Sequence, residues 1–347
     1  MAQNTPGTSA VVHAQESFLS RAGAYALRFQ SYFGLIAILI LAALVSPVRN
    51  GHNIFLGPEN LLNIVRFASE NGIIAIGMTL VIITGGIDLS VGAVLALCAV
   101  GSASFLMRAG WGTAPTVIII LCLGAFIGLV NGLTITKLNI QPFIVTLAML
   151  SICRGVASLW AGGYAIPLAF GLGADMAPPS FKFMFAGSFE LFGVDVPMQV
   201  FYFIGVGLIA GFILKRTGFG RHVFAVGGNE VASRLSGVNV HRVKILVYCI
   251  CSFLAGLAAL LHASLVNQGS HIDGAGYELN AIAAVVIGGT SLAGGAGTIL
   301  GTMIGAIILS VLDNILGLRN IQSEYQAILK GLLIILAVLA QKGRRST

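Results

Sequence analysis

The chain has 347 residues, of which 57% are hydrophobic and only 9% are charged. Soluble domains carry about 25% charged residues, so this composition excludes a soluble globular protein. It predicts an all-α, polytopic bundle of transmembrane helices. The net charge of +7 comes from residues that flank apolar runs, which is typical of the positive-inside rule and argues against nucleic-acid binding.

Ten apolar segments lie between a polar N-terminal tail (1–29) and a basic C-terminal tail (342–347). They predict about ten spans in one transmembrane domain, 30–341. The segments are roughly 30–47, 61–84, 89–107, 115–136, 141–160, 197–214, 244–266, 279–293, 298–316 and 326–341. With the N-terminus inside, most of the 19 Lys and Arg fall on cytoplasmic segments, so both termini are predicted to be cytoplasmic. The segment 161–196 is then an external loop, and 215–243 is a long, basic cytoplasmic loop.

The stretch VIITGGIDLSVGAVLAL contains Asp88, the only charged residue between positions 72 and 107. Gly85 and Gly86 can end the preceding helix. Asp88 can then cap the next helix by accepting the backbone N–H of Ser90 or of the residue after it. The stretch is interpreted as a hinge between two spans, and a role of Asp88 in lining a pathway or relaying protons stays open.

A similar stretch, GGTSLAGG, occurs at 288–295 and also follows an apolar segment. Aligning the two places Gly288 and Gly289 opposite the first glycine pair, and Ser291 opposite Asp88. Internal duplication is common in transporters. The alignment therefore predicts a second hinge in which Ser291 caps the following helix.

Two segments carry glycines at four-residue spacing, which places each trio on one face of a helix. The glycines are Gly124, Gly128, Gly132, Gly297, Gly301 and Gly305. Missing side chains let a second backbone approach closely. The spacing therefore predicts helix packing inside the protomer, and a subunit contact or a pathway wall is the alternative.

Several polar side chains lie inside the apolar segments and are candidates to line a transport pathway. They are Asn71, Thr79, Thr84, Asn131, Thr146 and Ser151. Each of them could instead bond to the backbone of its own or a neighbouring helix.

Sequence signals for catalysis and metal binding do not stand out. The chain has no GxxxxGK[ST] phosphate loop, so we expect no nucleotide site of its own. Its six His lack metal-binding spacings such as HExxH, and no nucleophile, base and acid stand out together. We therefore expect a non-enzymatic chain that binds no metal or cofactor.

The predicted cytoplasmic loop reads KRTGFGRHVFAVGGNEVASRLSGVNVHRVK. Its Gly-Gly-Asn sequence at 227–229 indicates a turn, and Asn229 is a suitable N-cap for a short helix over 229–236. Glu230 would complement the helix dipole in the first turn, and Gly237 can end the helix. A solvated connector is the alternative to a functional role.

This loop resembles the one by which permeases of ABC importers dock on their ATPase, with Glu and Ala followed by Gly a few residues later. Within that superfamily, the chain is similar to the ribose, xylose, galactose and autoinducer-2 permeases. GGIDLSVGAVLAL resembles one family motif. NGLTITKLNIQPFIVTLAML (131–150), GRHVFAVGGNEVASRLSGVNV (220–240) and GYELNAIAAVVIGGTSLAGGAGTILGT (276–302) resemble three more. The matches run in order from about residue 60 to 340.

The resemblance implies a multi-pass subunit of the bacterial cytoplasmic membrane that dimerises around a pathway for a monosaccharide or small polyol. A solute-binding protein would deliver the solute, and a separate ATPase would bind ATP and Mg²⁺. The residues implied in coupling to the ATPase are Asn229, Glu230, Ala232, Arg234 and Gly237. Arg221, Arg234 and Arg242 would pair with acidic ATPase surface or with lipid head groups.

Two departures from the family pattern leave the solute open. Asn280 follows Tyr-Glu-Leu where the family usually has Asp, and NQGSHIDGAG (267–276) replaces a stretch that is often SAQP-like. An ABC permease for a nucleoside or another non-sugar solute is one alternative. Another is a proton-coupled secondary transporter that uses Asp88, Glu70 or Asp313 as a relay.

Overall fold

The computed structural model describes residues 30–173, 175–191 and 193–342. The predicted tail 1–29 and nearly all of the basic tail therefore lie outside the described residues. The described chain forms thirteen α-helices. They are α1 (Gln30–Val45), α2 (Pro58–Ile83), α3 (Val91–Met107), α4 (Thr113–Lys137), α5 (Pro142–Ala161), α6 (Pro179–Ala186), α7 (Met198–Arg216), α8 (Gly218–Gly228), α9 (Glu230–Leu235), α10 (Val240–Val266), α11 (Tyr277–Ile287), α12 (Ile299–Leu318) and α13 (Ser323–Lys342).

Each predicted apolar segment overlaps one of these helices, which confirms the helical nature of all ten. Among the described residues, α2, α4, α5, α7, α10 and α12 are long and apolar enough to cross a membrane. Helices α1, α3 and α11 are apolar but shorter. The architecture is that of a polytopic helical membrane protein, and the number of ten spans stays a prediction.

The eighth apolar segment, predicted over 279–293, is too long at its C-terminal end. Helix α11 stops at Ile287, because Gly289 has a φ of +88° and turns the chain away from the helix axis. An extended loop then leads to α12.

The centre of the bundle is formed by α2 and α3. Side chains 91–104 of α3 are all buried, and α2 is almost entirely buried from Ala68 onwards. A helix that is apolar on every side belongs in the interior of a bundle. Helices α4, α5 and α7 instead expose large apolar side chains such as Ile118, Leu159 and Leu208, which suits contact with lipid.

Three two-stranded antiparallel sheets in the described chain modify the all-α prediction. The pairs are β1 (Val48–Arg49) with β2 (His52–Asn53), β3 (Ile166–Pro167) with β6 (Gln268–Gly269), and β4 (Ser188–Leu191) with β5 (Val194–Pro197). The predicted external loop therefore contains α6 and a β4–β5 hairpin that sequence analysis missed. The β3–β6 pairing ties this loop to the C-terminal end of α10.

Candidate functional site

The first hinge follows the C-terminus of α2. The N–H of Gly85 donates to the carbonyl oxygen of Ile82 at 2.9 Å, and the N–H of Gly86 donates to that of Val81 at 3.0 Å. Gly85 has a φ of +80°. These features define a Schellman motif, which uses the conformational freedom of glycine to close a helix. The prediction that this glycine pair ends the helix is confirmed.

Asp88 lies buried in the turn between α2 and α3. Its Oδ1 accepts the backbone N–H of Ser90 at 2.9 Å and the Ser90 hydroxyl at 2.6 Å. The hydroxyl oxygen in turn accepts the side-chain amide of Asn131 at 3.0 Å. The predicted bond to Ser90 is confirmed. The prediction that Asp88 caps α3 is nevertheless wrong, because Ser90 is itself the N-cap residue and no side chain among the described residues accepts a hydrogen bond from the first turn of the helix. Asp88 instead orders the turn before the helix.

The second hinge follows α11 and has the same motif. Gly288 is the C-cap residue, and Gly289 has a φ of +88°. The N–H of Gly289 donates to Val286 at 2.9 Å, and the N–H of Thr290 donates to Val285 at 3.1 Å. The two helix ends therefore share one backbone design, as the sequence similarity suggests.

The alignment of the two hinges is offset by one residue from the sequence prediction. The equivalent glycines are Gly85 and Gly289, so pairing Asp88 with Ser291 is wrong. Ser291 also does not cap α12. Thr298 does so, because its hydroxyl oxygen accepts the backbone N–H three residues later at 3.1 Å. Only the helix ends are alike, and the polar side chains that follow them differ.

The two hinges meet each other and the last turn of α8. The N–H of Gly295 donates to the carbonyl oxygen of Ile83 at 2.9 Å. A Cβ atom on Gly227 would overlap that same carbonyl oxygen and would lie 2.6 Å from the Gly295 nitrogen. We call Ile83, Gly227 and Gly295 the hinge junction. It places the predicted cytoplasmic loop in direct backbone contact with both hinges.

Two helices, α8 and α9, follow each other in the predicted cytoplasmic loop. Sequence analysis missed α8, whose N-cap residue Thr217 accepts the N–H of Gly220 at 3.2 Å. The glycine pair at 227–228, interpreted as a turn, forms the end of this helix. Its four glycines and turn-like sequence hide the helical pattern, since glycine disfavours helices by about 1 kcal/mol per residue.

Helix α9 has the ends that the sequence predicts. The Oδ1 of Asn229 accepts the N–H of Ala232 at 2.9 Å, which is an N-cap bond. Gly237 has a φ of +83°, and its N–H donates to the carbonyl of Arg234 at 3.1 Å. The cap and the stop are confirmed, whereas coupling to an ATPase stays a prediction.

Glu230 connects α9 to the start of α10. One carboxylate oxygen lies 2.6 Å from the Nζ of Lys244, and the other lies 3.3 Å from the guanidinium of Arg234. The hydrogen bond from Lys244, aided by both positive charges, holds the pKa of the Glu230 carboxyl below its ordinary value. Arg221, Arg234 and Arg242 are exposed and available to a partner surface.

Most of the predicted packing glycines lie at close helix contacts. A Cβ on Gly128 would overlap the carbonyl oxygen of Tyr248 in α10, and one on Gly305 would overlap that of Ala284 in α11. Gly124, Gly132 and Gly301 are similarly crowded by backbone atoms. Gly297 is an exception to the predicted helical trio, because it precedes the first residue of α12.

The candidate pathway residues have different surroundings. Thr79, Thr84, Thr146 and Ser151 donate to carbonyl oxygens of their own helices, and Asn131 donates to Ser90. The four Thr and Ser contacts match the alternative of bonding to the backbone, whereas Asn131 bonds to a side chain. Asn71 instead lines a groove between α2 and α12.

A buried polar cluster joins α2, α10 and the segment after α10. Nδ1 of His262 lies 3.0 Å from the carboxylate of Glu70, and its Nε2 lies 3.7 Å from that of Asp273. The Tyr277 hydroxyl donates to Glu70 at 3.4 Å. Arg154, from α5, donates to the backbone carbonyl of Asp273 at 2.7 Å. The cluster fixes the segment that leads into α11.

A family model described as branched-chain amino acid transport system / permease component matches residues 60–338. The chain belongs to this permease family. The ribose import permease protein RbsC of Escherichia coli (strain K12) is 43% identical over 90% of this chain and 93% of its own length. RbsC of Bacillus subtilis (strain 168) is 41% identical over 90% and 91% of the two chains. The galactose/methyl galactoside import permease protein MglC of Haemophilus influenzae is 36% identical over 88% and 91%. No solved structure matches.

Membership of the permease family confirms the resemblance carried by the four motifs. The matched range contains both hinges, α8, α9 and the buried cluster around His262. Sequence analysis missed this cluster in the permease, because Glu70 and His262 are 192 residues apart. The stretch NQGSHIDGAG was the available signal, since it places the carboxylate of Asp273 just before α11.

Proposed function

We propose that this permease is the membrane-spanning subunit of an ABC importer for a monosaccharide or related small polyol. The named import permeases for ribose and for galactose cover about nine-tenths of the chain. A neutral, polyhydroxylated solute also suits a chain with 9% charged residues. ATP and Mg²⁺ would bind a separate ATPase, and the permease itself would catalyse no reaction.

The observation that carries this proposal is the hinge junction. Because Gly227 leaves no space between α8 and the Ile83 carbonyl, a displacement of α8 must displace the end of α2. The hydrogen bond from Gly295 links the same point to the loop after α11. ATPase closure acting on α9 and its coupling residues would thus reach two inner helices through backbone contacts.

The assembly that we propose has two copies of the permease around one pathway, with a solute-binding protein outside and the ATPase inside. Ten spans in the bacterial cytoplasmic membrane would place both termini in the cytoplasm. The domain 30–341 would then carry 161–196 on the external side and 215–243 on the ATPase side. The exposed Arg221, Arg234 and Arg242 would face acidic ATPase surface or lipid head groups.

Reconstitution into liposomes with the cognate ATPase and binding protein tests this function. We expect uptake of radiolabelled ribose, or of another monosaccharide from a small panel, only when all three proteins are present. ATP must also be present on the side of the membrane where the ATPase lies. Uptake by the permease alone under a pH gradient would contradict the proposal. Uptake of nucleosides without uptake of sugars would support the importer function but contradict the proposed solute class.

A further inference from the structure

A groove of about 430 Å³ lies between the first half of α2 and the second half of α12. Helix α2 contributes Ile64, Phe67, Ala68 and Asn71, which share one face because their spacing follows the helical period. The first turn of α11 adds Tyr277 to the lining. This volume is within the range of about 300–1,000 Å³ that is typical of small-molecule sites.

The lining of the groove combines apolar side chains with six polar residues. Its polar residues are Asn71, Tyr277, Asn280, Ser310, Asp313 and Asn314. At one end, the side-chain amides of Asn60 and Asn314 exchange two hydrogen bonds of 3.1 and 2.8 Å. Polar side chains within spanning helices face a protein interior or a water-filled cavity, because lipid cannot satisfy them. The groove therefore belongs to an aqueous path or to an enclosed interface.

One lining group has an unused hydrogen-bonding atom. The Oδ1 atom of Asn71 is buried and has no partner among the described residues. An unpaired buried acceptor costs about 1–3 kcal/mol, so it favours a ligand or water that donates a hydrogen bond. A solute hydroxyl can fill this role.

The charges beside the groove are already paired within the chain. The carboxylate of Asp313 lies 2.9 Å from the Nζ of Lys330 in α13. Glu70, behind Tyr277, is bound by His262 at 3.0 Å. A charged solute would have to compete with these pairs, whereas a neutral solute would not. The exposed ring of Phe67 adds an apolar wall that suits the C–H face of a sugar.

We infer that this groove is the wall of the transport pathway, where a neutral polyhydroxylated solute contacts Asn71 and Asn280. The inference rests on the proposed importer function and assigns it a solute-contact site. Asn280, in the first turn of α11, lines the same groove with an uncharged amide side chain.

Thiol labelling tests whether water reaches the groove. In an assembled transporter whose five cysteines are replaced, Asn280→Cys should react with a membrane-impermeant thiol reagent, and ribose with its binding protein and ATP should slow the reaction. Ile118→Cys, on the exposed face of α4, is the lipid-facing control and should stay unlabelled. Equal labelling rates at the two positions would overturn the inference.

Uptake kinetics test the contact with the solute. Asn71→Leu keeps the side-chain size and removes both hydrogen-bonding groups, so we expect about a tenfold lower ribose uptake rate, with normal insertion and ATPase docking. Asn63→Leu is the matched control, because Asn63 is exposed on the same helix and does not line the groove. Ribose uptake by the parent transporter together with unchanged uptake by Asn71→Leu would refute the solute contact in the groove and leave the proposed function standing. No sugar uptake by the parent would refute the proposed function instead.

Discussion

Two adjacent glycines at the end of α8 differ in the space around them. A Cβ on Gly227 would overlap the Ile83 carbonyl oxygen, whereas one on Gly228 would meet no atom within 4 Å. Gly227→Ala should therefore displace the hinge junction at a cost of about 1–3 kcal/mol and lower ATP-driven uptake by about tenfold or more. Gly228→Ala should transport normally. Similar uptake rates for the two variants, at equal amounts of inserted protein, would contradict a coupling role of the junction.

The ion pair of Glu230 predicts a pH-dependent contribution to stability. Its folded-state pKa lies below the ordinary value of 4.5 because Lys244 stabilises the carboxylate. The contribution is therefore fully present above pH 4.5 and is lost as the pH falls through the lower, folded-state pKa. Glu230→Gln should reduce stability by about 0–1 kcal/mol near pH 7, since the pair is partly exposed.

Thermal unfolding in detergent, measured from pH 7 to pH 3.5 or the lowest pH tolerated, would check this prediction. The difference between the parent and Glu230→Gln should shrink below pH 4.5. It should also shrink at pH 7 in a Lys244→Met background, as expected for coupled residues. A difference that is independent of both pH and Lys244 would show that Glu230 acts in another way.

At the scale of elements, α4 and α10 pack with backbones in contact. Gly128→Ala would place a methyl group against the Tyr248 carbonyl and 2.8 Å from the Cα of Cys249, and backbone atoms cannot move aside like a flexible side chain. We expect a loss of about 1–3 kcal/mol. Gly155→Ala in α5 is the control, since a Cβ there would meet no atom within 4 Å. The midpoint of thermal unfolding measures both, and equal midpoints would contradict close packing of α4 on α10.

Helix positions were predictable from the sequence because apolar runs and glycine stops are local signals. Each of the ten predicted segments overlaps a helix, and Asn229 and Gly237 marked the ends of α9. Helix α8 was missed because its glycines resemble a turn. The second hinge was placed one residue out, since GGTSLAGG offers two glycines and only the backbone dihedral angle of Gly289 decides between them.

The candidate site was less predictable, because its contacts join distant parts of the chain. The Gly295–Ile83 hydrogen bond and the His262–Glu70 pair each need a tertiary fold before the partners meet. A single polar residue in an apolar helix can also have either of two roles, lining a pathway or bonding within the bundle. Asn71 and Asn131 were indistinguishable by type, yet Asn71 lines the groove and Asn131 is buried against Ser90.

At the scale of the whole molecule, α10 separates two groups of loops. Its 27 residues span about 40 Å at 1.5 Å per residue. The α9 helix lies before its N-terminus, and the β3–β6 pairing lies after its C-terminus. If α10 crosses the membrane, these two groups lie on opposite sides of a bilayer whose apolar core is about 30 Å thick. The β4–β5 hairpin belongs to the loop that contains β3.

If the N-terminus is cytoplasmic, this separation predicts from which side of the membrane a thiol reagent can label each loop. In a cysteine-free background, Glu190→Cys on the exposed hairpin should react with an impermeant thiol reagent in intact spheroplasts. Leu235→Cys, which is 84% exposed at the end of α9, should react only in inside-out vesicles from cells that express the permease alone. The opposite pattern would invert the topology and place α9 out of reach of a cytoplasmic ATPase, which would remove the basis of the coupling proposal.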